Sequence, residues 1–131
     1  MNELVQAAAE ARKNAYAPYS NYPVGAAARS ADGRIWSGAN VENVAFSPSI
    51  CAERAAIAKM VNDGARELSE VAVVTRDGGT PCGVCLQVML EFAPNPADVK
   101  VLCADENGEV KEYALAALLP HGFKTQLEPR T

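Results

Sequence analysis

Three cysteines constrain this chain more than anything else in it. Cys51 stands alone ahead of Ala52-Glu53, and Cys82 and Cys85 belong to the run Pro81-Cys82-Gly83-Val84-Cys85. Both groups lie where helix patterns begin. Ile50 to Asn62 reads as a helix with Ile57, Met60 and Val61 inward and Gly64 just past its end. Cys82 to Phe92 reads as another, entered through Pro81. A helix N-terminus carries partial positive charge and free N–H groups, which favour thiolates. Two such ends aimed at one point would gather all three sulfurs.

Three thiols fall one ligand short of a closed structural zinc site. Catalytic zinc keeps three protein ligands and leaves a position for water. Glu53 adds a carboxylate beside the cluster, so the set fits a metal that does chemistry with a proton carrier at hand. Taken singly, each residue has a plainer reading: Cys51 as a small buried hydrophobe, Cys-x-x-Cys as a redox pair, Glu53 as an acid favoured at a helix start. Arg54 follows Glu53. Three thiolates exceed the charge of one Zn²⁺, and an arginine donating to sulfur would offset the excess. A surface arginine would look the same in sequence.

The rest of the chain supplies a frame. Residues 2–16 read as an amphipathic helix with Leu4, Val5, Ala8, Ala9, Ala11 and Ala15 on its apolar stripe, stopped by Pro18. Tyr22 to Arg29 and Arg34 to Ser37 read as a hairpin about Ala31-Asp32-Gly33. Strands follow over Glu70 to Thr75, Val99 to Ala104 and Glu109 to Tyr113, and a short Ala/Leu helix ends at Pro120. Helix, hairpin and two strand–helix alternations predict a three-layer α/β/α sandwich around a mixed five-stranded sheet. At 131 residues the chain is expected to form one domain over 1–131. Its 24 alanines bury little area each, so metal binding or oligomerisation would help the core.

Charge and hydropathy exclude other classes. The net charge is −4 with no Lys/Arg-rich stripe, which argues against a nucleic-acid partner. No apolar run nears the roughly 20 residues that span a bilayer, so no membrane partner is expected. The acidic start Met1-Asn2-Glu3-Leu4 does not read as a secretory signal. A reducing, cytoplasmic setting suits four cysteines that serve as ligands or buried thiols. A polar loop, Gly38-Ala39-Asn40-Val41-Glu42-Asn43, precedes the Cys51 helix. Its Asn and Glu side chains suit vicinal hydroxyls, although an ordinary turn has the same composition. Tyr22, Phe46 and Phe123 could wall a planar base or belong to the core. Trp36 reads as packing, His121 as an exposed loop residue and Cys103 as buried.

Together these segments spell a family. Ala15-Tyr16-Ala17-Pro18-Tyr19-Ser20-Asn21-Tyr22-Pro23-Val24-Gly25-Ala26-Ala27, Asn40-Val41-Glu42-Asn43, Ile50-Cys51-Ala52-Glu53-Arg54, Pro81-Cys82-Gly83-Val84-Cys85 and Leu118-Leu119-Pro120-His121-Gly122-Phe123 span nearly the whole chain. The sequence resembles the cytidine deaminases of the small, homotetrameric, three-cysteine kind. That resemblance implies one Zn²⁺ per subunit on Cys51, Cys82 and Cys85, activating water for attack on C4 of a pyrimidine nucleoside, with Glu53 shuttling protons. It implies that Asn40 and Glu42 bind the ribose, that the Ala52 backbone contacts the base, and that Tyr22 stands where the family usually has Phe near the base. It implies that Phe123 reaches a neighbouring subunit's site, so that a tetramer shares its active sites. The expected activity is hydrolytic deamination of cytidine and 2′-deoxycytidine, in pyrimidine salvage.

Some positions depart from the pattern. Leu86 stands where the family usually has Arg, Phe46-Ser47 where it commonly has Tyr-Gly, and Pro48 where it has no proline. They motivate an alternative within the same reaction class: a deaminase of a modified or analogue nucleoside, such as a blasticidin S-like one. A further alternative, a structural zinc or nucleic-acid-binding module, would need a fourth ligand such as Cys103 or His121.

Overall fold

The computed structural model describes residues 2–124. Asn2 caps the first helix, α1 (Glu3–Arg12), its Oδ1 accepting from the N–H groups of Leu4 and Val5 at 2.7 and 3.3 Å. The helix stops earlier than the apolar pattern suggests. Tyr16 is drawn off by a backbone bridge to Val41: its N–H donates to the Asn40 carbonyl, and its carbonyl accepts from the Glu42 N–H, both at 2.9 Å. A backbone group engaged across the chain cannot also close a helical turn.

The hairpin strands β1 (Gly25–Ser30) and β2 (Ile35–Ala39) follow, then α2 (Ala52–Asn62), β3 (Leu68–Val74), α3 (Gly83–Glu91), β4 (Lys100–Ala104), β5 (Val110–Ala114) and α4 (Leu115–Leu118). A 3₁₀ turn at Pro96–Asp98, capped by Asn95, was not expected from the sequence. β1 begins later than predicted because the Asn40 side chain occupies the backbone of Tyr22 and Val24.

The five strands form one mixed sheet in the order β2-β1-β3-β4-β5, with β3 and β4 parallel and the other neighbours antiparallel. Alternation along the strands divides the core. Ala27, Ala72, Val74, Leu102 and Ala104 face α1 through Leu4, Val5 and Ala8. Ala26, Ala28, Val71, Val73, Val101 and Cys103 face the other way, against Ile57 and Met60 of α2, Leu86 and Met89 of α3, and Leu115. This is the expected three-layer α/β/α sandwich.

Small residues bring the layers close. A Cβ on Gly25 would lie 2.0 Å from the Ala8 carbonyl oxygen, so α1 rests on β1 backbone to backbone. On the other face a Cβ on Gly38 would lie 2.9 Å from both Ala55 Cβ and Ala56 N of α2. The alanine-rich composition serves this close approach.

Candidate active site

The cavity lies at the C-terminal end of β3, where a parallel strand leads into its crossover helix. Cys51 is the N-cap of α2 and Cys82 the N-cap of α3. Neither cysteine side chain makes a capping hydrogen bond, so both are available to a ligand. Cys85 lies one turn into α3 and is buried.

The sulfurs of Cys51, Cys82 and Cys85 all lie within 4.8 Å of one another, and Cys82 Sγ is 3.6 Å from Cys85 Sγ. Zn–S bonds of about 2.3 Å in a tetrahedron separate sulfurs by roughly 3.8 Å, so the spacing fits a metal ion. The electrostatics fit as well. The Cys51 thiol is held down to about 5, first by a hydrogen bond from Cys85 and then by the Arg54 guanidinium, against the opposing effect of burial. That hydrogen bond and burial push Cys85 up. Arg54 Nη2 donates to Cys51 Sγ at 3.4 Å. Neither Cys103 nor His121 joins the cluster among the described residues. Cys103 sits in the core on β4, where burial raises its thiol to about 11, and His121 is exposed.

Glu53, in the first turn of α2, faces the same cavity and is only 4% exposed. Burial pushes its carboxyl above the usual carboxylate range, and the Cys51 charge adds to the effect.

The loop residues Asn40 and Glu42 also line the cavity. Asn40 is buried; its Oδ1 accepts from the Val24 N–H at 2.9 Å and its Nδ2 donates to the Tyr22 carbonyl at 3.0 Å. Glu42 Oε1 accepts from the N–H groups of Tyr19 and Ser20 at 2.9 and 3.0 Å, and the Ser20 hydroxyl donates to Oε2. Both side chains are preset by the segment before β1, with capacity left for a ligand.

The cavity measures about 410 Å³, within the range of small-molecule sites. Its lining brings together Tyr22, Asn40, Glu42, Cys51, Ala52, Glu53 and Cys82 from the sequence reading. Phe46 and Phe123 stand outside this lining, 72% and 76% exposed. Phe46 has φ +63° and meets the Tyr19 ring edge-on at 6.4 Å between centroids. Leu86 packs into the core under α3.

Sequence reasoning missed several walls, among them Ser20, Thr75 and Gly79. Ser20 lies inside a motif that was legible only as a block, and Thr75 is an unremarkable residue at a strand end.

A family model described as the cytidine and deoxycytidylate deaminase zinc-binding region matches residues 1–103. The chain belongs to this family. It is 41% identical over 128 residues to a cytidine deaminase of Sporosarcina psychrophila, covering 96% of this chain and 93% of that one. A cytidine deaminase of Halalkalibacterium halodurans is 41% identical over 125 residues, covering 94% and 93%. The crystal structure of cytidine deaminase from Burkholderia pseudomallei superposes with a TM-score of 0.85 at 40% identity, covering 94% of this chain and all of that one. The mixed sheet and its helices are therefore the deaminase fold, and the three-cysteine cluster occupies its zinc-binding region. Among the described residues no helix is long and apolar enough to cross a membrane.

Proposed function

We propose that the protein hydrolyses the exocyclic amine of cytidine and 2′-deoxycytidine, giving uridine and 2′-deoxyuridine with release of ammonia. One observation carries this reading: a cluster of three sulfurs, two of them from residues lining the cavity, stands with the buried Glu53 carboxylate in a cavity that a preset Asn40 and Glu42 also line. The names of the relatives support cytidine over an analogue nucleoside.

Cys51, Cys82 and Cys85 would hold the metal, and zinc suits an all-thiolate tetrahedral set with one open position. Such an ion, when bound, supplies Lewis acidity that makes water a nucleophile near neutral pH. Glu53 is the general acid and base. It takes a proton from the attacking water, delivers it to N3 of the pyrimidine, and carries the second proton to the departing amine. Burial suits the task, because a carboxyl with a raised pKa exchanges protons readily near neutrality. Arg54 offsets the negative charge of the thiolates. Asn40 and Glu42 bind the sugar hydroxyls, the Ala52 backbone meets the base, and Tyr22 forms the aromatic wall. Phe46 and Phe123, exposed in the single chain, meet substrate at a boundary between subunits, so a homo-oligomer, a tetramer by resemblance, completes each site. One domain over residues 1–131 carries the activity, supported by the single continuous sheet. A cytoplasmic role in pyrimidine salvage suits a nucleoside substrate and four unpaired cysteines.

The test follows the loss of cytidine absorbance with zinc-loaded protein and its Glu53→Gln variant. The wild type should turn over cytidine. The variant should lose about 10²–10⁴-fold in kcat while keeping its metal content and circular dichroism. An inactive wild type would sink the reading, and an active variant would remove Glu53 from its role.

A further inference from the structure

Tyr22 lines the cavity, yet its hydroxyl is already engaged. It donates to Asp77 Oδ1 at 2.6 Å, a contact between residues 55 apart in sequence. Asp77 is itself held. The Thr75 hydroxyl donates to the same oxygen at 3.3 Å, and Thr75 Oγ1 accepts from the N–H groups of Gly78 and Gly79 at 2.8 and 3.1 Å. Thr75 is 4% exposed, so this turn is anchored in the interior at the end of β3. Arg76 adds a second tie: its guanidinium lies over the Tyr22 ring, 5.5 Å from the centroid, and donates to the Asn21 carbonyl. The backbone of Tyr22 is meanwhile fixed by Asn40. The ring is thus pinned at its hydroxyl, its face and its main chain, between the segment before β1 and the loop that leads to Cys82.

The geometry points to Asp77 as a positioning residue: it anchors the Tyr22 hydroxyl and so sets the ring of Tyr22 as a fixed wall for the substrate's base. This rests on the deaminase reading above. Asp77 does not line the cavity and touches no reacting atom. A hydrogen bond to a carboxylate is stronger and more directional than one between neutral groups, so it can hold a ring that packing alone would let swing. The hydrogen bond from Tyr22 is also the main reason that the Asp77 carboxyl stays below its ordinary range, while burial and Asp77 raise the Tyr22 phenol. The pair therefore stays as a phenol and a carboxylate at neutral pH.

A wall of this kind contacts the base before and during reaction alike. Its loss should weaken binding and leave the chemical step nearly untouched, which separates it from Glu53. In steady-state kinetics on cytidine, Asp77→Ala and Tyr22→Phe should each raise KM about three- to tenfold with kcat within about twofold. The double variant should match either single one, because both remove the same bond. Asp77→Asn should raise KM less than Asp77→Ala does, since its amide oxygen can still accept from the phenol but without the charge. Asp77→Ala at wild-type KM would overturn the anchor. So would penalties that multiply in the double variant, since Asp77 would then act only through the turn it sits in. Should Asp77→Ala fail to fold, Tyr22→Phe alone tests the bond, and an unchanged KM there overturns it. A wild type that turns over no cytidine defeats the deaminase reading first; an active wild type with an unmoved Asp77→Ala defeats only the anchor.

Discussion

The sugar-binding role proposed for Glu42 is best served by an ionised carboxylate held in place, and Ser20 contributes most to both. The Ser20 hydroxyl is the main reason its carboxyl sits below the ordinary range; the Ser20 and Tyr19 N–H groups lower it further. A depressed pKa means that the charged form survives as pH falls past the usual carboxylate value, and is lost only at the lower, folded-state value. Ser20→Ala removes the largest cause, so Glu42 should protonate at a higher pH. Measured between about pH 4 and 6, KM for cytidine should begin its acid rise earlier in that variant than in the wild type. Coincident acid limbs would refute the role given to Ser20. At this scale the gathering of Cys51, Cys82 and Cys85, with Glu53 in the adjoining cavity, was legible, because Cys and Glu at helix starts have few other reasons to stand together. The partners of those residues were not. That Tyr22 meets Asp77, or that Asn40 ties down Tyr22 and Val24, depends on strand pairing and loop path that no local pattern encodes.

The elements carry the site by bringing two helix starts together over one end of the sheet. Their types and order were readable from apolar periodicity and from glycines at turns: Gly33 and Gly64 adopt positive φ where the sequence placed a turn and a helix end. Their ends were less readable, since long-range backbone pairing at Tyr16 and side-chain capture by Asn40 trimmed α1 and β1. The approach of α2 to β2 was invisible in sequence and leaves little slack. Gly38 leaves no room for a methyl group against Ala55 and the Ala56 backbone. Gly38→Ala should push α2 outward at a cost of about 1–3 kcal/mol. Thermal unfolding of the zinc-loaded protein should then shift down by several degrees. Because Cys51 leads α2, the same variant should release metal faster to a chelator. An unchanged Tm would show that the layers yield more easily than the 2.9 Å separation implies.

At the scale of the whole molecule, several large apolar side chains near the cavity are exposed. Tyr16, Tyr19, Val41, Val44, Phe46 and Ile50 are all exposed and come from two segments that flank Ser20 and Glu42 of the cavity wall; Phe123 is exposed as well. Scattered exposed hydrophobes need no explanation, but a group of this kind at the edge of a site marks a surface made for contact. A second copy of the chain is the proposed occupant, consistent with the resemblance that gives Phe123 a place in a neighbour's site. Subunit complementation tests this without relying on size alone. Phe123→Ala should be weakly active because every site loses its borrowed ring, and Glu53→Gln should be inactive because every site loses its proton carrier. Mixed by co-expression, some sites combine Glu53 from one parent with Phe123 from the other. Random closed assembly would make these about a quarter of all sites, and activity should rise to roughly that fraction of wild type. Light scattering should meanwhile show one oligomer for both parents and the mixture. If the mixture is no more active than its parents averaged, Phe123 serves its own chain or none, and each subunit works alone.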